Sequence, residues 1–225
     1  MKTKTSNAQS AYFIILKKII DLELKPGETI TEVSLSEKLG ISRTPVRDAI
    51  QRLEMEGLIV SENRTKKIYF LTPRDIENIF DLKIAIESTL SGLAARKGTD
   101  KQMDDLSNIV LRIREQINDL KSGRENENTF FKKWIDTDRQ FHAKIAEMAD
   151  NSRAEQIINT LNTQWHRIKM GLSAIEGRME KSAVEHETIG KEIISRDAQA
   201  AEKAMADHLS NLKNVLLKIM QAFNF

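Results

Sequence analysis

The stretch LSEKLGISRTPVRDAIQRLEMEGL, residues 35–58, decides how the first part of this chain folds. Leu35 and Leu39 lie one helical turn apart before a tight corner at Gly40, and a second apolar stripe with helical spacing follows the corner. Two short helices on either side of such a corner form a helix-turn-helix. The apolar residues of the second stripe are Val46, Ile50 and Leu53.

The start of the second helix carries a group of polar and basic residues. Ser42 is placed to cap that helix, and Arg43, Thr44 and Arg47 lie in or beside its first turn. Side chains and backbone N–H groups point outward together at a helix start, which suits a groove lined with phosphates. We therefore predict that Arg43, Thr44 and Arg47 contact DNA.

Two short β-prone runs follow, at 58–60 and 67–71, with a charged, polar segment between them at 62–66. This order predicts a β-hairpin wing beside the helix-turn-helix. Its basic residues would lie along the DNA backbone, whereas the alternative is a solvated loop with an ordinary run of charges. The basic residues of the wing are Arg64, Lys66 and Lys67.

Composition sets outer limits on the molecule. A chain of 225 residues with 40% hydrophobic residues can bury one large core or two smaller ones, and two domains are expected because the helix-turn-helix is too short to use all of it. The absence of cysteine excludes disulfides and thiolate metal sites. No apolar run approaches the ~20 residues that span a bilayer, and the polar start lacks the apolar region of a secretory signal. We expect a soluble, cytoplasmic protein with no membrane partner.

The net charge of +2 is unevenly distributed. Residues 1–72 contain 12 basic and 9 acidic residues, whereas residues 73–225 contain 23 and 24. The positive charge thus lies in the part that carries the helix-turn-helix, as a phosphate partner requires, although an excess of this size is weak evidence by itself.

Thr72-Pro73-Arg74-Asp75 has the signature of a helix start, with a Thr cap and Pro at the first helical position. We place a domain boundary there, which gives domains 1–73 and 74–225. Long helices joined by short breaks predict an antiparallel α-helical bundle after the boundary, so the fold class is mainly α. The predicted helices outside the helix-turn-helix are about 11–22, after a polar tail at 1–9, then 74–97, 100–121, 125–149, 152–174, 179–195 and 198–222.

The N-terminal motif resembles the winged helix-turn-helix of the GntR family of bacterial transcription regulators. The resemblance rests on SRTPVRDAIQRLEMEGL, preceded by LKPGETITEVSLSEKLG, and covers about Tyr12 to Leu71. It implies that Arg43 and Arg47 meet DNA. The chain departs from the family at the wing, where SENRTKKIYF has no glycine for the hairpin tip.

Polar residues interrupt the apolar faces of the predicted bundle. Asp138 and His142 are four residues apart and share a face with Trp134 and Phe141, while His186 and His208 lie on the apolar stripes of two later helices. Three imidazoles and one carboxylate suit a divalent ion such as Zn²⁺ or Ni²⁺. The alternative is a set of hydrogen-bonded core histidines without metal.

This half of the chain resembles the FCD domain of the FadR-like GntR regulators. The segments are DRQFHAKIAE and EHETIGKEIISRDAQAAEKAMADHL. The resemblance implies that Asp138, His142, His186 and His208 bind a metal, whereas His166 matches no ligand position and is interpreted as a structural or pocket-lining residue.

The same resemblance implies that the metal helps to hold a small organic acid. Lys83 stands where the family often has an arginine that contacts this effector, and a lysine offers a mobile point charge instead of a planar fork. Three further basic residues are candidate effector contacts, or else members of surface ion pairs. They are Arg139, Arg167 and Arg178.

Three functional hypotheses follow. The leading one is a homodimeric, ligand-responsive transcription regulator whose two recognition helices read a palindromic operator. The second is a metal-dependent hydrolase or isomerase fused to a DNA-binding module, which needs a general base such as Glu185 or Glu187, two residues that we expect to be exposed. The third keeps the bundle as a metal-free dimerisation domain.

Overall fold

The computed structural model describes residues 3–20, 23–63, 65–69, 72–124, 127–169 and 177–222. Two helices and a small sheet follow the first helix, and long helices make up the remainder, so the predicted mainly α fold is confirmed. The elements in chain order are α1 (Thr3–Ile20), β1 (Thr29–Ile30), α2 (Glu32–Leu39), α3 (Arg43–Met55), β2 (Ile59–Glu62), β3 (Thr65–Ile68), α4 (Pro73–Lys97), α5 (Asp100–Lys121), α6 (Glu127–Ala149), α7 (Ser152–Lys169), α8 (Arg178–Ile194) and α9 (Ala198–Ala222).

Helices α2 and α3 form the helix-turn-helix. The Thr31 side chain accepts a 3.0 Å hydrogen bond from the backbone N–H of Ser34 and caps α2. Gly40 ends α2 in the left-handed conformation, with φ of 64°, which a residue without Cβ adopts at little cost. The corner therefore depends on this glycine, as its place in the motif predicts.

Helix α1 packs on α3 and covers the apolar stripe of the motif. The prediction of a polar tail at 1–9 is wrong from Thr3 onward, because α1 already begins there. No proline or glycine precedes Ala11, so nothing in the sequence stops the helix from extending toward the N-terminus. Buried residues of this interface include Tyr12, Ile15, Ile19, Val46, Ile50 and Leu53.

The wing is a three-stranded antiparallel sheet with strand order β1-β3-β2. Glu62 pairs with Thr65, which leaves a two-residue turn between β2 and β3. Asn63 occupies the first turn position with φ of 48°, a left-handed conformation that asparagine tolerates better than most residues. Asn63 therefore meets the need that a glycine meets in the family. The two-residue strand β1 is too short for sequence patterns to predict.

Among the long helices that follow Thr72, α4 packs against α6, α8 and α9, and α5 packs against α6 and α8. Capping marks the helix boundaries well, since Thr99 and Gln102 form a reciprocal capping box at the start of α5. The helix predicted at 152–174 is observed to Lys169, and residues 170–174 lie outside the described residues. The predicted boundaries of the other helices after Thr72 agree with the observed ones within about two residues.

The chain divides into two compact units between Thr72 and Pro73, and the end of α7, from Asn162, is grouped with the first unit. The proposed domains at 1–73 and 74–225 remain a prediction. Within the described ranges, no helix combines the length and apolar character that a bilayer span requires.

Candidate metal centre and nucleic-acid interface

Three imidazoles from three helices meet inside the second unit. His142 lies on α6, His186 on α8 and His208 on α9, and one potential ligand atom of each lies within 4.8 Å of the others. The ring centroids of His186 and His208 are 4.7 Å apart. The structure thus brings together the three predicted histidines, which are far apart in sequence.

Asp138 lies one helical turn before His142 on α6 and joins the cluster. Its Oδ1 is 3.4 Å from Nε2 of His186, and 14% of its side chain is exposed. The rings of Trp134 and Phe141 pack against His186, with centroid distances of 5.8 and 4.6 Å. Asp138 therefore lies beside His186, and two aromatic rings pack against the same imidazole.

His186 has one satisfied and one unsatisfied nitrogen. Its Nδ1 lies 2.6 Å from the carbonyl oxygen of Ser182, which can only accept, so Nδ1 carries the proton. The lone pair is then on Nε2, which is buried and has no hydrogen-bond partner among the described residues. A buried polar atom without a partner is costly, and a bound cation would satisfy it.

Glu87 of α4 borders the cluster and was missed by sequence reasoning. Its Oε2 lies 2.6 Å from Nδ1 of His142, a close ion-pair contact in which the ring nitrogen is not aligned as a hydrogen-bond donor. Its Oε1 accepts a 2.5 Å hydrogen bond from Nζ of Lys83. Burial raises the pKa of the Glu87 carboxyl, but the charges of Lys83 and His142 outweigh burial and hold the pKa well below its usual range. A signal existed in the sequence, because Lys83 and Glu87 interrupt the buried face of α4 one turn apart.

Glu185 of α8 borders the third imidazole. Its Oε2 accepts a 2.8 Å hydrogen bond from Nδ1 of His208 and bonds of 3.1 and 3.2 Å from the guanidinium of Arg178. Burial raises the pKa of Glu185, but the hydrogen bond from His208 and the charges of His208 and Arg178 hold the pKa at about 2. The expectation that Glu185 is exposed is wrong, since 13% of its side chain is exposed. Side chains from α9 cover it, including Asn211.

The surroundings of His208 favour its neutral form. Burial lowers the pKa of His208 to about 4, although its hydrogen bond to Glu185 acts in the opposite direction. Neutral imidazole is the form that binds a metal, and the Nδ1 contacts of all three rings leave each Nε2 available. Three such nitrogens with the Asp138 carboxylate fit a divalent ion of the Zn²⁺ or Ni²⁺ type and leave coordination positions for a further ligand.

The predicted effector contacts are placed in different environments. Lys83 and Arg178 are buried and bind the two glutamates that border the histidines. Arg139 is 73% exposed and forms a 2.6 Å ion pair with Asp136. The side chains of His166 and Arg167 lie outside the described residues.

At the start of α3, the predicted DNA contacts are exposed. Arg43 is 66% exposed, with its guanidinium 3.8 Å from Glu32, and Arg47 and Thr44 also face solvent. Ser42 occupies the N-cap position but its side chain makes no capping hydrogen bond, so its predicted capping role is wrong. The N–H groups of the first turn therefore lack that side-chain partner, which suits a surface that meets phosphate.

The two wing lysines differ in their surroundings. Nζ of Lys66 donates a short hydrogen bond to Glu54 of α3 and lies 3.4 Å from Oγ of Ser61. Lys67 forms a 2.9 Å ion pair with Glu62 along the wing. Lys66 is therefore turned toward α3, whereas Lys67 lies on the opposite side of the strand. Arg64 lies outside the described residues.

Both parts of the chain match known protein families. Residues 7–65 match the gntR family of bacterial regulatory proteins, and residues 78–211 match the FCD domain family. The Uxu operon transcriptional regulator of Escherichia coli K12 is 29% identical, with 97% of this chain and 91% of that protein covered. The HTH-type transcriptional regulator YdhC of Bacillus subtilis is 25% identical, with 91% of this chain and 90% of that protein covered.

Solved structures show the same fold. Escherichia coli McbR/YncC superimposes with a TM-score of 0.74 at 18% identity, covering 94% of this chain and 97% of that one. A putative GntR regulator from Rhodococcus sp. RHA1 gives a TM-score of 0.70 at 16% identity, covering 95% and 98%. The winged helix-turn-helix, the helical bundle and the matches over most of the chain lead to one conclusion: this chain belongs to the GntR family of bacterial regulatory proteins with an FCD domain, and it is a DNA-binding transcriptional regulator, not an enzyme.

Proposed function

We propose that this regulator senses a small organic acid through a metal ion held in its FCD domain. The ligands in this proposal are Asp138, His142, His186 and His208, and the ion is Zn²⁺, with Ni²⁺ as the alternative. The observation that carries the proposal is the buried Nε2 of His186, which has no hydrogen-bond partner among the described residues and lies 3.4 Å from Asp138. A cation at this position would satisfy a buried atom that is otherwise costly.

The ion, when bound, would supply a Lewis-acid position for a carboxylate oxygen of the effector. A divalent ion with Asp138 retains one positive charge, and this charge matches a single carboxylate group. Lys83 and Arg178 lie near the cluster and are proposed to face the effector, but each already binds a glutamate. Arg139 is left out of the proposed effector site because it is exposed and paired with Asp136.

The DNA-binding part of the proposal uses the exposed basic tip of α3. Arg43, Thr44 and Arg47 contact base edges and phosphates of the major groove. Wing residues, including Arg64 by its sequence position, follow the adjacent backbone. The protein acts in the bacterial cytoplasm as a homodimer on a palindromic operator, and effector binding changes the spacing of the two recognition helices.

The proposal is tested by measuring metal content and operator affinity in one protein preparation. Full-length chain without a histidine tag is analysed for metal by mass spectrometry, and its operator is obtained by selection from random duplex DNA. Operator affinity is then titrated at fixed salt with a panel of small monocarboxylic and dicarboxylic acids. We expect about one divalent ion per chain and an acid that shifts operator affinity at least fivefold, since allosteric coupling is typically about 1–3 kcal/mol.

Two results would contradict this proposal in different ways. A chain that carries no metal and takes up none from excess Zn²⁺ would favour the metal-free dimerisation domain. A chain that binds metal but whose operator affinity responds to no acid in the panel, with or without metal, would argue against acid sensing.

A further inference from the structure

An oxygen atom lies within 2.8 Å of Nδ1 in each imidazole of the cluster. For His186 this oxygen is the backbone carbonyl of its own helix, at Ser182. For His208 it belongs to the Glu185 carboxylate, which accepts a 2.8 Å hydrogen bond. For His142 it belongs to the Glu87 carboxylate, 2.6 Å away in an ion-pair contact that is not aligned as a hydrogen bond. These two carboxylates come from different helices, α4 and α8, and each lies beside Nδ1 of its imidazole.

Both carboxylates also bind a buried cation. Lys83 lies one turn before Glu87 on α4, and both side chains are only 4% exposed. Arg178 lies seven residues before Glu185 on α8 and donates two hydrogen bonds to one carboxylate oxygen. The site thus contains two similar chains of contacts, each running from a cation through a carboxylate to an imidazole.

Burial of an ion pair does not explain this arrangement by itself. Removing two charges from water costs free energy that their attraction often fails to recover, and apolar residues of similar size serve stability equally well. In both pairs the carboxylate also contacts a histidine of the cluster. An imidazole that ligates through Nε2 needs its proton on Nδ1, and an acceptor at Nδ1 fixes that tautomer and the ring orientation.

We propose that Glu87 and Glu185 are positioning residues of the metal centre, and that Lys83 and Arg178 hold these two carboxylates in place. This inference rests on the metal site of the proposed function and assigns to it four residues outside the ligand set. Glu185 accepts the Nδ1 proton of His208, and Glu87, 2.6 Å from Nδ1 of His142, has the same role in this proposal, so both Nε2 lone pairs would face the ion.

The experiment measures Zn²⁺ affinity by competition with a chelator, using full-length protein first stripped of metal. Glu87→Gln and Glu185→Gln keep the side-chain shape and an acceptor oxygen but remove the charge. We expect each to weaken Zn²⁺ binding by about 10–100-fold, as loss of an outer-sphere partner typically does. The double variant Lys83→Met/Glu87→Gln leaves no unpaired charge at that position, and we expect the same loss of affinity from it.

Glu187→Gln is the matched control. Glu187 flanks His186 on the same helix as Glu185 and also binds an arginine, Arg114, but its partner is at the surface. Its substitution should leave Zn²⁺ affinity unchanged within twofold. Imidazole ¹⁵N shifts supply a second readout that a merely structural role would not change: apo wild-type protein should show Nδ1–H tautomers for His142 and His208, and the Gln variants should show mixed tautomers.

The outcomes separate this inference from the proposed function. If wild-type protein binds no Zn²⁺, the proposed metal site and the proposed positioning roles are both wrong. If wild-type protein binds Zn²⁺ and His186→Ala does not, but Glu87→Gln, Glu185→Gln and the double variant bind as wild type does, the metal site stands and the positioning role is wrong. Unchanged histidine tautomers in Glu87→Gln and Glu185→Gln would also contradict the positioning role.

Discussion

The two units of this regulator place their candidate functional side chains in opposite ways. At the start of α3, Arg43 and Arg47 come from one short segment and are exposed to solvent. In the FCD domain, the polar residues come from α4, α6, α8 and α9 and are largely buried. A surface that meets DNA needs accessible charge, whereas a centre that holds an ion needs charges removed from water and individually paired. The two regions should therefore respond differently to loss of a charge.

The largest effect is expected where a buried charge loses its partner. Lys83→Met leaves the Glu87 carboxylate without its ammonium in a buried environment, so it should destabilise the fold by about 3–5 kcal/mol. Urea unfolding, followed by circular dichroism, measures this change. The double variant Lys83→Met/Glu87→Gln should recover most of the stability. Arg47→Ala is the matched control at an exposed position and should change stability by less than about 0.5 kcal/mol. Equal losses of stability in Lys83→Met and Arg47→Ala would contradict the expected difference between buried and exposed charges.

Metal removal should have the next largest effect, and it should act on the FCD domain. An ion that joins α6, α8 and α9 and binds only the folded state adds about 3 kcal/mol of stability when free Zn²⁺ exceeds its dissociation constant a hundredfold. A chelator should therefore lower the melting temperature of wild-type protein.

His142→Ala, His208→Ala and Asp138→Asn should each lose this response to the chelator, while operator binding without effector stays within about twofold. Differential scanning calorimetry with and without chelator measures the change in melting temperature. His166→Ala should behave as wild type does. A metal-dependent melting temperature in all three ligand variants would show that the ion binds elsewhere.

At the DNA-binding surface, loss of one arginine should cost affinity without loss of stability. Arg43→Ala and Arg47→Ala should each weaken operator binding by about 1–3 kcal/mol if the guanidinium makes a bidentate base contact, and should relax specificity at one base pair. Fluorescence anisotropy at fixed salt measures both effects. Arg153→Ala, an exposed arginine of α7, serves as the control and should bind as wild type does. Wild-type affinity in both α3 variants would remove these arginines from the interface.

The smallest effect is expected in the wing. Lys67→Ala should reduce the slope of log affinity against log salt by about one, because one phosphate contact is lost for every sequence alike. Lys66→Ala should reduce the slope by less, because the pair of Lys66 with Glu54 is less exposed than the pair of Lys67 with Glu62, which solvent weakens more. A larger change for Lys66 than for Lys67 would show that the Glu54 pair opens when DNA binds.

The sequence predicted the winged helix-turn-helix well because the motif is local. The turn at Gly40, the stripe of Val46 and Leu53, and the exposed position of Arg43 all follow from residues within a few helical turns. The same local reasoning failed for the Ser42 cap, since a suitable residue at the N-cap position does not guarantee the rotamer that forms the bond.

Helical spacing alone determined that Asp138 and His142 share one face, and that His186 and His208 lie on apolar stripes of their own helices. It did not determine that these faces meet, since a period of 3.6 residues fixes the direction of a side chain only relative to its own helix. The contacts of Glu87 with His142 and of Glu185 with His208 were decided by the packing of α4 on α6 and of α8 on α9. A glutamate becomes a partner of a histidine on another helix only when tertiary structure brings the two together in a region from which water is excluded.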